Sequence, residues 1–248
     1  MIVVAVINQK GGTGKTTTTI SLGSALAKKW KKVLLVDLDP QGNLSYSLGI
    51  DDSGGSMADV LLGDKHLKDI LVHQEGMYVA PANNLLADAE LSLAASAQRE
   101  QVLRAALKEQ KEMDFVLIDC PPSLSVLTLN ALLAADQVII PMQMEVLSLQ
   151  GLDQIVNTID KVKSAFKKKL KIAGILPVMV DNRRKLSQEV HEYILGNYSV
   201  PIFSSQIRAN VKASEAPSFG KSVIAYKPKS SSAVDYLQFA DEFLTLTH

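Results

Sequence analysis

The sequence predicts an α/β fold, a doubly wound, mostly parallel sheet flanked by helices. Short continuous apolar runs recur at residues 2–7, 33–36, 115–118 and 138–140, as strands buried on both faces of a sheet must read. Longer stretches with apolar residues at helical spacing separate them. The first run leads through Lys10-Gly11-Gly12-Thr13-Gly14-Lys15-Thr16-Thr17 into a helical pattern, the strand, glycine loop and helix of a phosphate cradle.

A chain of 248 residues suits one large domain over 1–248 with a substantial core. No apolar run approaches the ~18 residues that span a bilayer, and the start lacks the cationic residues and cleavage site of a signal peptide. The single cysteine, Cys120, excludes an intrachain disulfide, fits a reducing cytoplasm and is expected to be buried beside a strand end. Net charge is zero, but residues 151–248 carry 14 Lys/Arg against 9 Asp/Glu and the first 150 carry 12 against 17. Any nucleic-acid affinity must therefore come from a local patch.

In the glycine loop, backbone N–H groups can turn toward an anion without Cβ clashes, and the following helix adds its positive dipole end. Lys15 is expected to reach the β- and γ-phosphates, with the Thr16 hydroxyl on Mg²⁺. The helix over 16–29 places Ile20, Leu22, Gly23, Leu26 and Ala27 along one side. It ends in Lys28, Lys29, Lys31 and Lys32 around Trp30, a solvated end favoured by the helix dipole. The strand at 33–36 delivers Asp37-Leu38-Asp39-Pro40-Gln41-Gly42-Asn43 to the sheet's carboxyl edge, where ligands bind in doubly wound folds. The two carboxylates are expected to have different jobs. For Asp37, capping the loop and contacting metal stand side by side.

Residues 51–56 read as a loop, 57–62 as a helix, 77–80 as a strand closed by Pro81, and 85–93 and 98–107 as helices. His66 and His73 lack a cysteine partner or helical His-x-x-x-His spacing and read as surface residues. The strand at 115–119 ends in Asp119, held rigidly enough to bind Mg²⁺ through a water, before the turn Cys120-Pro121-Pro122-Ser123. A core strand at 137–141 precedes a long helix over 147–166. That helix runs into Lys161, Lys163, Lys167, Lys168, Lys169 and Lys171 with no intervening acid, either a solvated end or a nucleic-acid contact. A strand at 172–180 puts 181–185 at the carboxyl edge. Residues 233–244 are amphipathic with an acidic polar face, which suits a helix packed on the sheet better than one lying on a membrane.

Residues Lys10 to Thr17 resemble the deviant Walker A motif of the ParA/MinD family of P-loop ATPases, with Gln9 standing where the usual P-loop pattern has its first glycine. The resemblance implies ATP and Mg²⁺ as cofactors, with Lys10, Gly11, Gly12, Thr13, Gly14, Lys15, Thr16 and Thr17 around the nucleotide. It implies a homodimer formed on ATP binding, in which Lys10 reaches the partner's nucleotide. Lys10, Lys15 and Asp39 would carry catalysis, Asp39 by positioning or activating the attacking water. Thr16, Asp39 and Asp119 would surround Mg²⁺, 124–132 would form the second switch, and Asp181 or Asn182 would touch adenine.

Ser214-Glu215-Ala216-Pro217-Ser218, followed by Gly220-Lys221, is similar to the chromosome- and plasmid-partition branch of that family. This likeness implies slow ATP hydrolysis, a ParB-like stimulator, and nonspecific DNA binding in the ATP state by a cytoplasmic, nucleoid-associated protein. Arg208, Lys212, Lys221, Lys227 and Lys229 accumulate there against Glu215 with no aromatic interleaving. Such a patch suits salt-sensitive phosphate contacts rather than base readout. Arg208-Ala209-Asn210 and 227–232 carry fewer arginines than the family pattern. No N-terminal helix-turn-helix is expected. The rival readings are a MinD-like membrane-positioning switch and a positioning ATPase with a protein cargo. An iron–sulfur reductase of the nitrogenase type needs two cysteines per subunit and is excluded.

Overall fold

The structure, a computed structural model, describes residues 1–97, 99–181 and 185–247. Eight strands form one sheet: β1 (Ile2–Val6), β2 (Val33–Asp37), β3 (Val72–Gln74), β4 (Met77–Ala80), β5 (Phe115–Asp119), β6 (Gln137–Met142), β7 (Lys171–Val180) and β8 (Ile207–Arg208). Their order is β3-β4-β2-β5-β1-β6-β7-β8, and every pairing is parallel except that of β3 with β4. The helices are α1 (Lys15–Lys28), α2 (Asn43–Ser47), α3 (Met57–Leu62), α4 (Leu85–Ala94), α5 (Val102–Leu107), α6 (Val126–Ala134), α7 (Val146–Phe166), α8 (Lys185–Asn197), α9 (Val211–Glu215), α10 (Val223–Tyr226) and α11 (Ser231–Thr247).

Alternate residues of the central strands feed opposite cores. Ala5, Val36, Ile118 and Ile140 join the cluster that includes residues of α3 to α8, while Val4, Leu35, Leu117 and Ile139 join the one under α1, α10 and α11. That two-sided burial is why these strands read as unbroken apolar runs. The amphipathic C-terminal stretch forms α11, whose Phe239, Ala240 and Phe243 are buried beside α1 and whose Tyr236 hydroxyl lies 3.1 Å from Thr18 Oγ1. Among the described residues, no helix is long and apolar enough to cross a membrane.

The helix expected over 98–107 is shorter; Gln98 lies outside the described residues, and α5 starts at Val102. Asn130 explains the late start. Its amide donates to Arg99 O at 2.7 Å and accepts from Leu103 N at 3.2 Å, so a side chain from α6 takes backbone groups that a longer helix would use itself. Cys120 is fully buried, and His66 and His73 are exposed.

Candidate functional site

The carboxyl ends of β1, β2 and β5 meet because these strands are neighbours, with β5 between β1 and β2. The glycine loop leaves β1 and closes on α1 at Gly14, whose φ of 75° is left-handed and strained for any residue with a Cβ. The loop's entrance is braced by Asn8, a residue that sequence reasoning missed. Its amide donates to Pro141 O at the end of β6 (2.7 Å) and accepts from Lys10 N (3.0 Å). The available signal was a polar side chain placed between an apolar strand and a glycine loop. Thr13 Oγ1 closes the turn by donating to Lys10 O at 3.1 Å.

Lys15, at the first position of α1, is 7% exposed. Burial pushes its ammonium below the ordinary lysine value, while the Asp119 and Asp39 carboxylates pull it back up. Asp119 is fully buried at the end of β5, and burial, with Asp37 beside it, raises its carboxyl well above the usual range. The Thr16 side chain beside it brings that carboxyl back down in part, and Thr19 Oγ1 donates to its Oδ1 at 3.5 Å.

The two carboxylates after β2 do differ. Asp37 Oδ2 accepts from the Ser45 N–H (3.0 Å) and hydroxyl (2.8 Å), and its Oδ1 from Asp39 N (3.2 Å), so its lone pairs organise the turn into α2. Burial lifts its pKa to about 7. Of the two readings open for Asp37, loop capping is the one it visibly performs. Among the described residues, the Asp39 carboxylate accepts only a local bond, from Gln41 N at 3.0 Å, and it faces the Lys15 side. Gly42 is needed between them and α2: at φ 60°, an added Cβ would sit 2.7 Å from Ala82 O.

Could this cluster hold Mg²⁺? Asp119 Oδ2 is buried without a hydrogen-bond partner, and a buried carboxylate oxygen left so is costly unless a cation or water meets it. Among the described residues no group of three or more His, Cys, Asp or Glu could by itself cage a metal. Few protein oxygens beside a phosphate cradle fit a hydrated Mg²⁺ that shares phosphate ligands. Thr16 and Asp119, with Asp39 nearby, are the residues that would hold it.

Lys10 projects away from its own loop. Its Nζ is 3.3 Å from Glu145 Oε2 and 3.5 Å from Gln143 Oε1, just beyond β6. Gln143 Nε2 in turn lies 2.7 Å from Sδ of Met179, a non-glycine residue at φ 54° where the β7–β8 register shifts. Met179 and Val178 approach Gly14, so the end of β7 borders the glycine loop. Asp181 follows, lining a cleft of about 400 Å³ with Met144, Pro177 and Gln206. Asn182 lies outside the described residues. Thr17 borders a small crevice with Lys221, linking the loop's helix to the C-terminal segment.

The basic residues assigned to DNA divide into two kinds. Lys221, Lys227 and Lys229 are exposed. Arg208 is committed instead: its guanidinium holds Asp235, which is 4% exposed, at 2.6, 3.0 and 3.2 Å. Lys212 pairs with Glu215 at 2.8 Å, where Tyr226 also donates at 2.9 Å. Truncating Arg208 strands a buried carboxylate. Arg208→Ala should therefore lower the urea midpoint well beyond the effect of Lys229→Ala; equal midpoints would show that Arg208 is not structural.

The family described as "AAA domain" matches residues 1–172. The chromosome partitioning protein ParA of Myxococcus xanthus is 43% identical over 247 residues, spanning 98% of this chain and 87% of that protein. The sporulation initiation inhibitor protein Soj of Bacillus subtilis is 43% identical over 245 residues, spanning 97% of each. Among solved structures, a Mycobacterium smegmatis protein described as cobyrinic acid a,c-diamide synthase, with bound ATP analog and magnesium, superposes with a TM-score of 0.87 at 42% identity, covering 98% of this chain and 94% of that one. The septum site-determining protein MinD of Pyrococcus horikoshii, complexed with Mg-ADP, gives 0.81 at 28% identity, covering 99% and 97%. With full-length similarity of this kind converging on the strand, glycine loop and paired lysines described above, the chain belongs to the ParA/Soj family of partition ATPases.

Proposed function

We propose that the chain, acting as one domain over 1–248, is an ATP- and Mg²⁺-dependent dimerising switch for DNA partition. In this reading it binds DNA nonspecifically when ATP-bound and hydrolyses ATP slowly until a ParB-like partner stimulates it. The observation that carries the reading is the convergence of Lys15, Thr16, Asp39 and the unpartnered Asp119 Oδ2 at one edge of the sheet. When bound, Mg²⁺ would neutralise charge between the β- and γ-phosphates. The glycine-loop N–H groups and Lys15 hold the phosphates, and Asp39 orients the attacking water.

Lys10 supplies the reason for a dimer. Its ammonium is directed at Glu145 rather than into its own loop, so in this reading the partner subunit's Lys10 meets the γ-phosphate and stabilises charge in the transition state as an arginine finger does. Hydrolysis is then slow unless two copies meet and a stimulator sets the switch segments. A membrane platform finds no support in α11, because its apolar face is occupied against α1.

The test is retention of a DNA duplex with ATP, ADP or no nucleotide at two salt concentrations. Retention that is stronger with ATP than with ADP or no nucleotide, and weakened by salt, is the expected result; retention equal in all three states, or none in any, would overturn the DNA-platform reading.

A further inference from the structure

The lysine run after α7 does not simply point into solvent. Lys167 ends α7 in a left-handed conformation, φ 49°, which turns the chain back so that Lys168 N reaches Lys163 O at 3.2 Å. Lys167, Lys168 and Lys169 then line a cleft of about 380 Å³ with Gln101, Arg104 and Asp136. A second cleft of about 480 Å³ shares Gln101 and Arg104 with the first and adds Lys108 from the end of α5. Together they make a continuous trough with five cations and one carboxylate on its walls.

That carboxylate pairs with only one of the five cations, Lys168, and at long range. Asp136 Oδ2 accepts the backbone N–H of Val3 at 3.0 Å, and its Oδ1 lies 3.9 Å from Lys168 Nζ, too far for a hydrogen bond. The Lys168 side chain is only 13% exposed. Burial holds its ammonium below the ordinary lysine value; Asp136 pulls it back up in part, and nearby Arg104 lowers it. A mostly buried ammonium whose one carboxylate stands beyond hydrogen-bond distance, facing a concave space beside an arginine, is a group that an anion would satisfy.

The trough lies at the amino-terminal edge of the sheet, where β6 and β7 begin. The glycine loop lies at the opposite edge, roughly 20 Å away by the ~3.3 Å rise per residue of the six-residue β6. We propose that this trough is a second phosphate-binding surface, for the backbone of a nucleic-acid duplex, that works regardless of the nucleotide state. Lysines and an arginine suit backbone phosphates, and the single aromatic on the walls, Phe166, 40% exposed, does not make a row on which successive bases could stack. Five cations in a trough, unlike a pocket for one phosphate, suit a chain of charges. The surface goes beyond the ATP-dependent DNA binding proposed above and does not require it.

The test uses the full chain in the ADP state, with fluorescence anisotropy of a labelled duplex across a salt series. Lys167→Glu/Lys169→Glu changes two exposed trough lysines, and Lys161→Glu changes an exposed lysine of α7 outside the trough. The double variant is expected to lower the slope of log affinity against log salt by about 1.8, equivalent to roughly tenfold less affinity lost between 50 and 200 mM salt. It should bind more weakly at low salt while keeping wild-type ATP turnover, and Lys161→Glu should match wild type. An unchanged slope in the double variant, or an equal loss in Lys161→Glu, would overturn the proposal. Inorganic polyphosphate that binds while the duplex does not would overturn the nucleic-acid assignment. Lys10→Ala should leave this ADP-state binding intact even where it abolishes ATP-dependent retention, so the two readings fail separately.

Discussion

Lys10→Ala is expected to bind ATP with near wild-type affinity, to remain a monomer with ATP on size exclusion, and to lose turnover by about 1,000-fold or more. The magnitude follows from the loss of a trans-acting cation in phosphoryl transfer. Binding should persist because the substitution leaves the cradle in place. The Lys10 N–H still bonds Asn8 Oδ1, Thr13 still closes on the Lys10 carbonyl, and Lys15 remains at the first turn of α1. The side chain that is lost points toward Glu145, not toward its own phosphates. Wild-type turnover in the variant would remove the case for a trans-acting lysine and the dimer reading with it.

Asp119→Asn should separate stability from function. Asp119 is fully buried with one oxygen unpartnered and Asp37 nearby, so the folded protein without metal carries a poorly solvated charge. The sign follows from proton binding. Burial raises the carboxyls of Asp37, to about 7, and of Asp119 above their unfolded values. The native state therefore holds more protons than the unfolded chain between pH about 4 and about 7, and stability falls as pH rises through that window. The amide variant should flatten this fall and melt higher than wild type at pH 7.5 without nucleotide. Wild type with Mg²⁺ and ATP at 100 times Kd should gain about 2.7 kcal/mol; the variant should lose most of the Mg²⁺-dependent part and at least ~100-fold in turnover. A full Mg²⁺-dependent gain in the variant, read by differential scanning fluorimetry, would show that Asp119 is not at the metal.

The central strands were legible because burial on both faces leaves a mark that local composition can carry: Val33–Asp37 and Phe115–Asp119 have no polar residue before the closing aspartate. The phosphate-side residues were legible for a related reason, since a glycine loop, a lysine and a strand-end carboxylate are each tied to their neighbours in the chain. What escaped depends on distant partners. β3 is three residues long and pairs at the sheet's edge with β4. α8 has many polar residues, and sequence reasoning assigned no element between 186 and 206. The Arg208–Asp235 pair joins residues 27 apart, and the contact of Lys10 with Glu145 joins residues 135 apart. Charge counting along the chain therefore placed Arg208 in a DNA patch, while the fold gives its guanidinium a buried carboxylate to hold.

The strand order also bears on how the protein is made. β1 leaves the ribosome first, yet both of its sheet neighbours, β5 and β6, come from the middle of the chain. At ~5–20 residues per second, β1 waits roughly 5–25 s for β5 to be synthesised. Throughout that interval an apolar Ile-Val-Val-Ala-Val segment has neither of its native partners, the state in which such strands pair wrongly or recruit chaperones. Nucleotide cannot help during this period, because Asp119 is among the last residues of β5 to appear. A chain truncated before residue 115 would carry the complete glycine loop and still have no strand on either side of β1 to hold it.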